Sequence, residues 1–214
     1  MDLFRLHPWH GVPIGAQAPR VVTTYIEIVP TDTVKYEIDK LTGILKVDRP
    51  QLYSNVCPTL YGFIPQTVCA ERVGALCCQR TGRTAIVGDG DPLDICVLTE
   101  KSFSHGDILL ESIPIGGLRV IDGREADDKI LAVLKGDAVY GRLEDVGELP
   151  AALIERLRHY FLTYKQAPER AERAVEITDV YGRDDAHEVI RHSYIDYYVH
   201  QAGPERRLPE TLQG

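Results

Sequence analysis

No stretch of this 214-residue sequence approaches the ~18 apolar residues in a row that a membrane-spanning helix requires. The start, Met1 to His10, is not a basic stretch followed by a long apolar run, as a secretory signal would be, so a cytoplasmic chain with no membrane partner is expected. Positive charge is also scarce: 24 Lys and Arg stand against 32 Asp and Glu, a formal net charge of −8. That argues against a general nucleic-acid binder, which carries a basic stripe, and against an anionic membrane surface as partner. It does not exclude a small anionic substrate, because bound metal ions invert the sign of a local site. The cysteines, at 57, 69, 77, 78 and 96, are odd in number and include an adjacent pair, which fits reduced thiols. Cys69, Cys77 and Cys78 cluster, yet no C-x-x-C pair or nearby His completes a zinc pattern. Internal repeats and low-complexity segments are absent.

With 44% hydrophobic and 26% charged residues, the chain can bury one soluble core. A single domain over 1–214 is expected, with its core at about 21–200 and a loose charged tail at about 203–214. Val21–Val29, Val34–Ile38 and Ile44–Val47 read as strands, the last two joined by the turn-forming Asp39-Lys40-Leu41-Thr42-Gly43. Ile95–Leu98, Ile108–Ile115, Leu118–Ile121 and Ile130–Leu134 follow, with Gly116-Gly117 separating two of them. Residues about 67–88 lose periodicity and read as a flexible surface excursion. Short strands with turns between them suggest a closed barrel or sandwich. The last third changes period. Pro150 marks a helix start, with Leu153, Leu157, Tyr160, Phe161 and Tyr164 at helical spacing. Asp184 and Asp185 open a second helix through Ala186, Val189, Ile190, Tyr194 and Tyr197, ending at Gly203-Pro204.

The acid is concentrated in two places. Asp89-Gly90-Asp91-Pro92-Leu93-Asp94 carries three carboxylates in front of a strand, and Pro92 allows the segment to bend so that all three converge. Asp122, Glu125, Asp127 and Asp128 form the second group. If the two groups meet, like charges ~4 Å apart repel by roughly 4 kcal/mol at an effective dielectric of ~20. Hard cations among them would relieve this, and oxygen-only ligands favour Mg²⁺, Mn²⁺ or Ca²⁺. The plain alternative is a solvated acidic turn. A calcium loop starting at Asp89 matches D-x-D and Glu100 at its twelfth position, but has Leu93 at the fifth and Asp94 where Gly is required at the sixth. Lys35 and Glu37 alternate on one strand face, while Arg49, Tyr61, Lys129, Tyr164 and Lys165 each have an ordinary structural explanation when taken alone.

Taken together, these residues resemble the family I soluble inorganic pyrophosphatases. Asp89 to Ile95 matches the D-G-D-P-hydrophobic-D-hydrophobic signature, and further ordered blocks run from about Tyr25 to Lys165: Ile26-Glu27-Ile28, Lys35 to Lys40, Val47-Asp48-Arg49-Pro50, Tyr61 to Ile64, Asp122 to Lys129, and His159-Tyr160-Phe161 with Tyr164-Lys165. The resemblance implies an α+β, mainly β fold: a five-stranded OB-like barrel with two flanking C-terminal helices. It implies Mg²⁺-dependent hydrolysis of pyrophosphate to two orthophosphates without a covalent intermediate, with Mn²⁺ as a substitute and a homo-oligomer as the working form. By that likeness Asp89, Asp94 and Asp127 would hold the two metals on the attacking water, and Asp91 would take its proton. Asp122 and Glu37 would hold metals arriving with substrate. Lys35, Arg49, Tyr61, Lys129, Tyr164 and Lys165 would bind phosphate, and Glu27 would be accessory. The long stretch at 67–88 departs from compact members, which join the neighbouring blocks by a short turn. Two other readings compete: a two-metal phosphoesterase for an organic phosphate, and a non-catalytic OB-type binding module.

Overall fold

The structure is a computed structural model that describes residues 5–52, 55–165 and 175–201. Its elements, in chain order, are β1 (Val22–Ile28), β2 (Val34–Ile38), β3 (Leu45–Pro50), β4 (Leu60–Phe63), α1 (Glu71–Thr81), β5 (Val87–Gly88), β6 (Asp94–Leu98), β7 (Ile108–Asp122), β8 (Glu125–Ala126), β9 (Lys129–Leu134), α2 (Ala151–Thr163), β10 (Val175–Gly182) and α3 (Arg183–Gln201). Strands β1, β4, β6, β9 and β7 are hydrogen-bonded in that order, and β1 also pairs with β7, so five strands close a ring. Closure removes the free edges that an open sheet would expose, and the arrangement agrees with the OB-like fold expected. Strands β2 and β3 form a separate hairpin. Among the described residues, no helix is long and apolar enough to cross a membrane.

The short apolar strands read as continuous hydrophobic runs because both of their faces are buried. In β6, Ile95 and Val97 pack with one cluster while Cys96 and Leu98 pack with another; in β9, Ile130 and Ala132 divide from Leu131 and Val133 in the same way. That is the two-residue period of a strand. The first cluster includes Val73, Leu76 and Cys77 of α1 with Ala186, Val189 and Ile190 of α3; the second includes Leu157, Tyr160 and Phe161 of α2.

Three expectations are corrected. First, residues 67–88 are not a loose excursion. They contain the 11-residue α1, whose Val73, Leu76 and Cys77 are buried. Its polar sequence hid it: Gly74 interrupts the pattern, but a side chain there would press on Gly88 and Ile86 backbone about 3 Å away. Among the described residues, α1 is thus an α-helix additional to the two expected C-terminal helices, α2 and α3. Second, Gly116-Gly117 does not split a strand; Ile108–Asp122 is one. The glycines serve close approach, since a Cβ on Gly117 would lie 2.3 Å from the Tyr181 ring. Third, β10, which contains Tyr181, pairs antiparallel with β7 and was not foreseen, because its exposed Glu176 and Asp179 break the apolar run. The Gly203-Pro204 helix stop and the tail lie outside the described residues.

Candidate active site

The D-G-D segment is shaped by local hydrogen bonds. Asp89 Oδ1 accepts from the Asp91 N–H at 2.8 Å, and Gly90 takes φ of +76°, a left-handed value that favours glycine. The segment is then clamped by the chain leading into α1: Gly90 N–H donates to the Cys69 carbonyl at 2.9 Å, and Cys69 N–H donates to the Asp91 carbonyl at 2.8 Å. Thr67 Oγ1 accepts from Leu93 N–H at 2.9 Å and donates to the Ile64 carbonyl at 2.6 Å. The stretch read as an excursion is thus the brace of the signature loop.

One ring pairing, β6 with β9, is parallel and sets Asp94 opposite Lys129. Lys129 is buried, and its ammonium donates to both Asp94 and Asp127. Burial opposes its charge, but Asp127 and Asp94 hold its pKa well above the usual lysine value. Tyr61, on β4, donates to Asp94 Oδ2 at 2.5 Å. Asp122, at the end of β7, accepts from Lys165 Nζ at 2.5 Å, and Lys165 also lies 5.5 Å from the Tyr164 ring centroid. From the hairpin, Lys35 Nζ donates to Glu37 at 2.9 Å and to Asp48 at 3.1 Å, while Arg49 donates to Asp48 at 2.5 Å. The second terminal nitrogen of Arg49 is buried without a partner. Lys40, in the hairpin turn, donates to Asp91. Glu27 ties the hairpin to the ring: its buried carboxylate accepts from the Ile38 N–H at 2.7 Å.

All thirteen residues singled out from the sequence line one cavity of about 330 Å³: Glu27, Lys35, Glu37, Arg49, Tyr61, Asp89, Asp91, Asp94, Asp122, Asp127, Lys129, Tyr164 and Lys165. Lys40, Asp48 and Glu125 line it too and were not assigned a role from the sequence, although each stood inside a quoted block or acidic group. Asp128 does not join them. Neighbouring residues in an extended chain point opposite ways, so Asp127 faces the cavity while Asp128 is buried beside Arg119 at 2.8 Å and the Tyr181 hydroxyl at 3.1 Å. Burial pushes Asp128 up to about 6, against the pull of Arg119.

Nine carboxylates and five cationic side chains line the cavity. Burial, and then the negative charge of Asp127, push Asp89 up to about 8; burial also pushes Glu27 to about 8 despite its backbone hydrogen bond. Asp127 is raised as well, by burial against the pull of Lys129. In all three burial is the leading cause, and a bound cation would favour the ionised form. An excess of oxygen ligands with no sulfur or imidazole is the donor set of a hard divalent cation, so the residues fit such ions. The carboxylates share a cavity but not one point: among the described residues, no three His, Cys, Asp or Glu side chains form a ready-made ion-binding group.

The inorganic pyrophosphatase family model matches residues 24–198. The chain belongs to the inorganic pyrophosphatase family. It is 52% identical over 195 residues to an inorganic pyrophosphatase of Chlamydia trachomatis, covering 89% of this chain and 93% of the relative. It is 36% identical to soluble inorganic pyrophosphatase 3 of Arabidopsis thaliana, over 91% of this chain and 81% of that one. Its fold is similar to the inorganic pyrophosphatase of Thermus thermophilus, with a TM-score of 0.74 at 30% identity, over 90% of this chain and 99% of the other. The D-G-D loop, the β2–β3 hairpin and the residues just after α2 meet at the cavity described above.

Proposed function

We propose that this cavity is where the chain carries out the family's reaction, hydrolysis of inorganic pyrophosphate to two orthophosphates, and that Mg²⁺ is the divalent cation it uses. The hydrolysis itself follows from membership of the family. The observation that supports its location is the convergence of thirteen sequence-distant residues on one cavity. Nine carboxylates facing five cations would repel a tetra-anionic substrate; divalent cations reverse that balance.

Asp89, Asp94 and Asp127 would hold the cations beside the attacking water, and Asp122 and Glu37 those that accompany pyrophosphate. When bound, such ions supply positive charge to the phosphoryl oxygens and acidify water near neutral pH. The chain's own residues do the rest. Asp91 is half exposed at the cavity mouth and receives the proton of the attacking water. Lys35, Arg49 and Lys165 neutralise phosphoryl oxygens, Arg49 through its unpartnered terminal nitrogen. The hydroxyls of Tyr61 and Tyr164 donate hydrogen bonds without adding charge. Lys129 holds Asp94 and Asp127 in position and presents its charge to the leaving phosphate. Glu27 acts from behind by fixing the hairpin at Ile38. Phosphoryl transfer needs mainly positioning and charge stabilisation, so no covalent intermediate is required and the buried cysteines take no part.

A cytoplasmic homo-oligomer, folded as one domain, is part of the same reading and rests on the family likeness. The test is phosphate release from pyrophosphate with and without Mg²⁺, beside a nucleoside triphosphate and a phosphomonoester. Fast, metal-dependent release from pyrophosphate alone is expected; faster turnover of the organic phosphates would sink the assignment.

A further inference from the structure

A second cavity, of about 560 Å³, shares no residue with the first. It lies between residues 16–20, β7 at Ile113 and Pro114, and the first turns of α3. Its charge is opposite to that of the chain: Arg20, Arg183 and Arg191 face a single carboxylate, Asp184. The helix produces this. Arg183, His187 and Arg191 are four residues apart and share one face of α3. Arg183 reaches Glu144 at 3.5 Å at an exposed edge. Among the described residues, Arg20 and Arg191 have no carboxylate within ion-pair distance. The Nε2 of His187 is buried and has no hydrogen-bond partner. Burial, then Arg191 and Arg183, lower the pKa of this imidazole. Uncompensated like charges and a buried unpaired nitrogen are both costly.

We propose that this cavity binds a phosphate group, as an anion site separate from the catalytic cavity. Guanidinium forks match phosphate oxygens with paired N–H donors, and the unpartnered ring nitrogen of His187 belongs to the same lining. The space admits free orthophosphate or a phosphate carried on a nucleoside, and the recognition chemistry is the same. Occupancy would join residues 16–20 to α3. The inference does not rest on the pyrophosphatase reading, because it predicts binding without metal and without turnover.

The experiment is calorimetric titration of the full chain, in chelator, with inorganic phosphate and separately with adenosine monophosphate. One saturable, metal-independent site per chain is expected, and the tighter ligand identifies the source of the phosphate. The double variant Arg20→Ala/Arg191→Ala should weaken binding at least tenfold, whereas Arg49→Gln, in the catalytic cavity, should leave it unchanged; melting curves check that both variants fold. Absence of saturable binding by either ligand, survival of binding in the double variant, or its loss in Arg49→Gln would each overturn the proposal.

Discussion

The carboxylate of Asp196, on α3, caps α1 by accepting from the backbone N–H of Arg72 at 3.0 Å. The same oxygen accepts from Ala70 and Val73, both at 3.2 Å. Helix α1 has no side-chain cap of its own, since Ala70 occupies the cap position. A residue 124 positions away supplies it. Because Cys69, next to that helix start, clamps the D-G-D loop, the cap also supports the candidate active site. Asp196→Ala should cost about 1–3 kcal/mol of stability, the penalty for leaving buried donors unsatisfied. Urea unfolding measures this, and Asp196→Asn, which keeps one acceptor, should recover part of the loss. Equal stability of Asp196→Ala and the wild type would refute the tertiary cap.

Replacing Asp91 with Asn keeps shape and removes the proposed proton acceptor. Turnover of pyrophosphate should fall by about 10²–10⁴-fold, the usual contribution of a positioned base. The side chain is half exposed and contacts Lys40 at the surface, so the melting temperature should stay near that of the wild type. A variant that retains most activity would remove Asp91 from the role of base.

Cation binding should stabilise the fold. Mg²⁺ at 100 times its dissociation constant adds about 2.7 kcal/mol per independent site. Thermal melting with Mg²⁺ and with chelator reads the difference. A melting temperature indifferent to both would argue that the carboxylates of this cavity hold no cation.

Asp137 gives a pH dependence that is independent of the cavity carboxylates. Burial alone would raise its pKa, but hydrogen bonds from Thr99 Oγ1 (2.6 Å) and the backbone N–H of Tyr140, Glu100 and Val139 hold it down at about 2. The unfolded chain, with an ordinary aspartate near ~3.9, takes up the proton first as pH falls. The stabilising contribution is therefore complete above about pH 4 and is lost as pH falls through about 2. Denaturant midpoints between pH 5 and pH 2 should fall less steeply in Asp137→Asn than in the wild type. Parallel curves would show that this carboxylate does not control acid stability.

The site was more legible in the sequence than parts of the fold. Asp89, Asp94, Lys129 and their partners stand in short blocks whose residue types are fixed by charge and phosphate chemistry, and those blocks survive any uncertainty about the elements that carry them. Strands such as β6 and β9 were legible because burial on both faces leaves an unbroken apolar run. Helix α1 and strand β10 were not, because what makes them possible lies elsewhere in the chain. Helix α1 depends on a cap from Asp196, and β10 depends on glycines in β7 that admit Tyr181. The fate of Asp128 needed the structure for the same reason. It follows Asp127 in the same acidic group, but Arg119 and Tyr181, which take it into the core, come from β7 and β10.

Ring closure has a kinetic consequence. Strand β1 must find β7, with Tyr25 opposite Leu109, before the ring exists. The parallel neighbours β6 and β9 meet only after the whole of β7 has been laid down between them in sequence. Such distant pairings pay their loop-closure entropy before they return any contact energy, and folding slows accordingly. Lys129 reaches Asp94 across that parallel pair. Activity regained during refolding is thus expected to follow the slow assembly of these distant pairings, which stopped-flow fluorescence beside an activity assay would check.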